Sequence, residues 1–175
     1  MTVMIDKSNR SIAATSVQAG DARPDIPNLI AQALAPPGTR PVGKLLRLRE
    51  LQRMNFSWPA LLNDAAHAAA ASRRPPIRPL RVLIEDDDPS PAVESACREL
   101  GVSLVNTPTT LLANAMVERV FVTIRKQFID KLPGQSRSGH RGAGAGEEDL
   151  ILMDDLAVVF DRWVVQIWPY VRGDY

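Results

Sequence analysis

One cysteine, two histidines and no long apolar run are what this chain of 175 residues has to offer several large function classes, and each shortage removes one. A lone thiol, Cys97, excludes an intramolecular disulfide and a cysteine-rich metal site, and its place in an amphipathic stretch reads as a packed core thiol of a cytoplasmic protein. No segment approaches the roughly 18–20 consecutive apolar residues of a membrane helix. The opening decapeptide carries Asp6 and Lys7 and lacks the apolar run of a secretory signal, so the expectation is a cytoplasmic chain with no membrane partner. The glycines at 142 to 146 are not followed by the Lys-Ser/Thr of a nucleotide phosphate loop. His67 sits among alanines and reads as surface or packing, and His140 falls in a polar loop, so neither supports an enzyme. Charge of one sign is lacking too: 21 Lys+Arg against 20 Asp+Glu leave a formal +1, and any basic surface has to come from clustering.

What is present is one ordinary domain's worth of average globular composition, 45% hydrophobic and 23% charged. Thr2 to Ile5 and Ser11 to Val17 read as a hairpin around the turn formers Asp6 to Arg10. Pro27 starts a short helix through Leu34 that Pro36-Pro37-Gly38 ends. A basic helix is expected over Lys44 to Met54, and an alanine-rich one over Pro59 to Ser72. Leu80 to Ile84 is the best strand. Ser90 reads as the cap of a helix from Pro91 to Leu100 that Gly101 closes, and Val102 to Val105 follows as a strand. A long helix is expected from Leu111 to Leu132, stopped by Pro133-Gly134, then a mobile loop over 135–148 that includes the Gly- and Ser-rich Gln135 to Gly146. The last helix runs from Leu150 to Tyr170. Trp58, Trp163 and Trp168 read as packing anchors. The order is that of an α/β chain whose middle strand–helix–strand can form a parallel crossover.

The acidic run Glu85-Asp86-Asp87-Asp88 follows the best strand, where α/β proteins place functional groups. Hard cations favour such oxygen ligands, usually one or two carboxylates completed by water and phosphate. The plain alternative is a solvated acidic turn. Glu118 interrupts an apolar helical stretch and shares a face with Asn114, Val122 and Arg125. It either lies exposed beside Arg119 or faces Asp86 so that both hold a metal, with Asn114 and Arg125 suited to a phosphate.

These segments carry a resemblance. Leu83-Ile84-Glu85-Asp86, Ser95-Ala96-Cys97-Arg98-Glu99-Leu100-Gly101-Val102, Thr107-Pro108, Val117-Glu118-Arg119-Val120-Phe121 and Lys131-Leu132-Pro133-Gly134 resemble, in order, the retroviral-integrase superfamily. They are most similar to its bacterial DDE-type transposases of the Mu-like kind. Ile5 to Ile12 resembles the family's second and third strands, and Asp161 to Trp168 its final helix. The resemblance implies an incomplete ribonuclease-H-like fold: a mixed sheet flanked by helices, with residues 1–175 a partial catalytic core. It implies that Asp86 and Glu118 are the second family aspartate and the glutamate, sharing Mg²⁺ or Mn²⁺ for DNA cleavage and strand transfer by two-metal chemistry. It also implies DNA contacts from Asn114, Arg119, Arg125 and Lys126.

The departures are specific. Asp87-Asp88 stand where the family has Asn-Gly, and Leu112 and Ala115 stand where it has Pro and Gly. The strand with the first catalytic aspartate has no counterpart, because Asp6 matches the hairpin turn. The expected chain is therefore a transposase fragment, shortened at both ends and inactive alone. The alternative is a non-catalytic DNA-binding or assembly partner, acting with full-length transposase subunits or with copies of itself. An unrelated α/β interaction module is a third reading, favoured by an absence of DNA binding at low salt.

Overall fold

A computed structural model describes residues 1–20, 25–40, 43–54, 56–84, 89–106, 111–133 and 151–171, with backbone alone for 111–114. The chain opens with the antiparallel pair β1 (Thr2–Ile5) and β2 (Ile12–Ser16), with Thr2 opposite Ser16 and a bulge where the register shifts between Met4 and Ile5. Asp6 organises the turn by accepting from the Ser8 amide at 2.8 Å and its hydroxyl at 2.7 Å, and Asn9 accepts from the Ser11 amide at 2.8 Å. Arg10 completes it in the left-handed region at φ 59°.

Helix α1 (Ile26–Leu34) starts at Asp25, whose carboxylate accepts from the Asn28 amide at 3.0 Å, with proline in the first turn. It packs Leu29 and Ala33 against Ala13 and Ala14 of the hairpin, and Ile30 against a second apolar cluster. That cluster belongs to β3 (Arg81–Ile84), α4 (Pro91–Glu99) and β4 (Ser103–Asn106). β3 and β4 pair in parallel, Arg81 opposite Ser103, so the expected crossover unit forms. Helix α4 ends because Gly101 adopts φ 65°, which lets the Val102 amide reach the Cys97 carbonyl at 2.8 Å and the Gly101 amide that of Arg98 at 3.2 Å. Cys97 is 1% exposed, a core thiol whose pKa burial raises. Ser90 makes no side-chain cap bond, contrary to expectation.

The sheet also differs from expectation. Among the described residues the four strands form two pairs, β1–β2 and β3–β4, and not one mixed sheet. Met4 and Ile26 touch both apolar clusters, so the pairs share packing without sharing hydrogen bonds.

The main core lies elsewhere, among α2 (Leu48–Arg53), α5 (Leu111–Gln127), α6 (Met153–Gln166) and α7 (Trp168–Val171). The basic helix is shorter than expected, since only its second half winds. The alanine-rich stretch is two pieces, a 3₁₀ turn at Pro59–Leu62 and α3 (Asp64–Ala71). Asn63 separates them because its carboxamide caps the Ala66 amide at 3.1 Å. The long helix stops at Gln127, and a 3₁₀ turn at Ile129–Lys131 follows Phe128. Phe128 leaves the helix to fill the core, with ring centroids 5.0 Å from Phe160, 5.3 Å from Trp163 and 5.8 Å from Trp58. Trp163 continues the chain of rings to Trp168 at 5.8 Å. The Trp168 indole donates to the Arg10 carbonyl at 3.0 Å and ties the last helix to the hairpin turn. The loop expected over 135–148 lies outside the described residues. No helix among the described residues is long and apolar enough to cross a membrane.

Truncating Phe128 to alanine should cost about 3–5 kcal/mol of unfolding free energy. Truncating the exposed Val122 should cost no more than about 0.5 kcal/mol. Urea unfolding measures both, and similar losses for the two would refute this account of the core.

Candidate functional site

Two places hold the chain's chemistry. The first is the one expected at the end of β3. Asp86 lies outside the described residues, and Asn114 contributes only its backbone, within α5. Glu118 stands exposed on α5. Its direction follows from packing: Val120, Ile124 and Phe128 are buried, and two residues along a helix turn the side chain about 200° away. Val122, 49% exposed, and Arg125 share the outer face with Glu118. The Glu118 carboxylate makes no ion pair with Arg119 or any other cation among the described residues. Arg119, Arg125 and Lys126 are all exposed, and the last two occupy the final turn, where cations suit the helix dipole. Arg125 approaches Asp130 at 3.9 Å with both side chains in solvent, a pair that stabilises little. Among the described residues no three His, Cys, Asp or Glu side chains gather as a metal site.

The second place was not singled out by sequence reasoning. Helix α6 buries two charged groups along its inner side and half-buries a third. Asp155, 1% exposed, accepts from the Leu46 and Arg47 amides and fixes the approach to α2. The chain passes so close that a Cβ on Gly43 would stand 2.5 Å from Val158 Cγ2. Arg162, 2% exposed, donates to the Leu61 carbonyl at 3.0 Å and pairs with Asp64 at 2.6 Å. Between them sits the half-buried Asp161.

Asp161 is ringed by Arg40, His67, Arg74 and Arg162, yet its carboxylate has no hydrogen bond or ion pair among the described residues. Arg40 and Arg74 reach backbone carbonyls, and Arg162 is paired with Asp64. Arg40 donates to the carbonyls of Ala35 at 3.1 Å and Ala13 at 2.9 Å, and Arg74 to those of Val164 at 3.1 Å and Ile12 at 3.4 Å. Two consecutive β2 carbonyls are thus held by guanidinium groups at the bulge. Desolvation pushes the Asp161 carboxyl above the usual range, against the pull of the three arginines and of His67 when protonated. His67 is 3% exposed and buried as packing; desolvation chiefly lowers its pKa, Arg162 adds to this, and Asp161 and Asp64 oppose it. Burial lowers that of Arg40 too, opposed by Asp161. One signal for this hub was in the sequence: Asp161-Arg162 breaks the run from Val158 to Val165, where charge is costly without partners.

Compared with models of protein families, with curated proteins and with solved structures, the chain matches none.

A carboxyl whose pKa is higher folded than unfolded binds protons more tightly in the native state. Its effect on stability is therefore unfavourable as pH rises above about 3.9 and through the raised value. His67, lowered, acts in the other direction on acidification below about 6.5. Asp161→Asn should flatten the alkaline-side decline while leaving the histidine limb. Urea midpoints followed from about pH 4 to about pH 8 test this, and parallel profiles for the two proteins would contradict the assignment.

Proposed function

We propose that this chain is part of a DDE-type integrase or transposase catalytic core of the Mu-like kind, with an incomplete ribonuclease-H-like fold. The observation that supports it is that the described motif residues, Leu83 and Ile84, Ser95 to Val102 and Val117 to Phe121, fall on a parallel β3–α4–β4 unit and on α5. The acidic run follows β3, Cys97 is the buried anchor of α4, Gly101 closes that helix at φ 65°, and Glu118 stands outward on the next long helix. The divided sheet supports the same reading. Two strand pairs packed on one helix, with no hydrogen bond between them among the described residues, fit an arrangement in which a strand between them is absent.

In this reading Asp86 and Glu118 are two of three shared carboxylates, and residues 1–175 hold no counterpart of the first. Mg²⁺ or Mn²⁺ would be held by these two with water and a DNA phosphate, since Mg²⁺ keeps several waters and usually takes only one or two carboxylates. A metal pair stabilises the attacking and leaving oxygens of an in-line displacement. Without the third carboxylate the ions are weakly held and misplaced, so the chain alone cleaves and joins no DNA. Its remaining activity is binding: Arg119, Arg125 and Lys126 with Asn114 contact DNA phosphates in the cytoplasm, alone as a homo-oligomer or beside full-length transposase subunits. The exposed basic end of α5 favours this partner role over catalysis.

Fluorescence anisotropy with duplex DNA tests the reading. Binding should weaken steeply between about 50 and about 200 mM salt. Neutralising Arg125 or Lys126 should reduce the log–log salt slope by about 1 each, with no strand transfer in Mg²⁺. An absence of DNA binding at low salt would refute it and leave an α/β interaction module.

A further inference from the structure

A cleft of about 340 Å³ opens between the end of β2, α1 and α6, beside the Asp161 hub and away from the outer face of α5. Asn28 and Gln32 from α1, Arg40 and Asp161 supply its polar chemistry, with Val17 and Val158 among its apolar walls. Donors outnumber acceptors. Arg40 uses Nε and Nη2 on backbone carbonyls and keeps Nη1. Gln32 uses Oε1 on the Thr15 amide at 3.4 Å and keeps its NH₂ group. Arg162 also lines the cleft, and its Nε is buried without a partner. The one charged acceptor is the Asp161 carboxylate, which has no hydrogen bond among the described residues.

Electrostatics narrow the ligand. Arg40, Arg74 and Arg162 act on Asp161, and the Asp64 carboxylate, 88% exposed, is already paired with Arg162. A cation is disfavoured by three guanidinium groups. An anion with no proton suits the donors but sets one oxygen against the carboxylate. An oxyanion carrying one O–H satisfies both, because that O–H donates to the carboxylate while the other oxygens accept. We propose that this cleft binds a small oxyanion that shares one proton with the Asp161 carboxyl, hydrogen phosphate or the phosphoryl end of a monoester, its other oxygens held by Arg40 and the α1 amides. None of the residues lining the cleft belongs to α5, so this site and the proposed DNA surface stand or fall separately.

The proton can come from the ligand or, because the carboxyl is poised upward, from Asp161 itself. The groups facing Asp161 are Arg40 from the loop after α1, His67 of α3, Arg74 beyond it, and Arg162 of α6, while Asp64 of α3 acts on His67. The arginines stay charged throughout the working range. His67, its pKa lowered, stays neutral until acid pH, leaving Asp161 to set the behaviour above it.

Calorimetric titration of the full chain with inorganic phosphate and with sulfate, from about pH 5 to about pH 8, tests this. Phosphate keeps a proton over the whole range and should bind throughout. Sulfate keeps none, and its affinity should fall by up to about tenfold per pH unit once Asp161 ionises. Asp161→Asn should bind sulfate with no such decline. Asn28→Leu, on the exposed face of α1 and outside the buried hub, should weaken phosphate binding at least about fivefold while far-UV circular dichroism stays unchanged. Phenyl phosphate, which loses its second proton near about pH 6, distinguishes the sources. Tighter binding than phosphate at about pH 5 assigns an ester, and weaker binding at every pH assigns the free ion. No phosphate binding at millimolar concentration, identical pH profiles for phosphate and sulfate, or full affinity in Asn28→Leu would overturn the proposal.

Discussion

The packing of Phe128 is the constraint on which the rest depends. Its ring lies against Trp58, Phe160 and Trp163, one from the segment before α3 and two from α6. To reach them the backbone must leave α5 at Phe128, so the helix ends where the core needs an aromatic and before any sequence stop signal. Aromatic rings bury large areas and favour tilted or offset contacts at 4.5–7 Å, which fixes helix spacing as well as adding stability. The direction of Glu118 on α5 is a by-product: once Phe128, Ile124 and Val120 point inward, it faces water.

The hairpin is held by different means. Among the described residues β2 has a strand on one side only, and its Ile12 and Ala13 carbonyls are met by Arg74 and Arg40. Arginine serves here because its planar head offers several donors and keeps its charge when half-buried. This solution gathers positive charge around α6, and Asp161 is the counter-charge placed near it without being bonded. The same arrangement that blunts an edge strand thereby creates an acid in an unusual state.

Much of this was legible in the sequence. The hairpin followed from Asp6 to Arg10 between β-favouring flanks, and the α4 unit from Pro91 at its start and Gly101 at its end. These signals are local, acting over three or four bonds, so nearby residues carry them. What escaped was decided at a distance. The break at Asn63 is a competition between a side-chain cap and one more helical turn, which composition leaves nearly balanced. The early end of α5 is set by aromatics in other segments. The Asp161 hub joins residues 40, 67, 74 and 161, and no periodicity links positions so far apart. Asp86 and Glu118 drew attention as an acidic run after a buried strand and a charge in an apolar helical stretch, a resemblance of ordered motifs suggested their roles, and their mutual geometry involves a residue outside those described.

The bond from the Trp168 indole to the Arg10 carbonyl spans 158 residues. Contacts of such sequence separation slow folding, because the loop they close must be ordered first. During synthesis, at about 5–20 residues per second, the hairpin emerges first and waits several seconds or longer for the helix that anchors its turn. In that interval Arg40 and Arg74 have already followed the strand, so its Ala13 and Ile12 carbonyls can be met while the turn still lacks its indole, and nascent-chain chaperones have their longest opportunity at that turn.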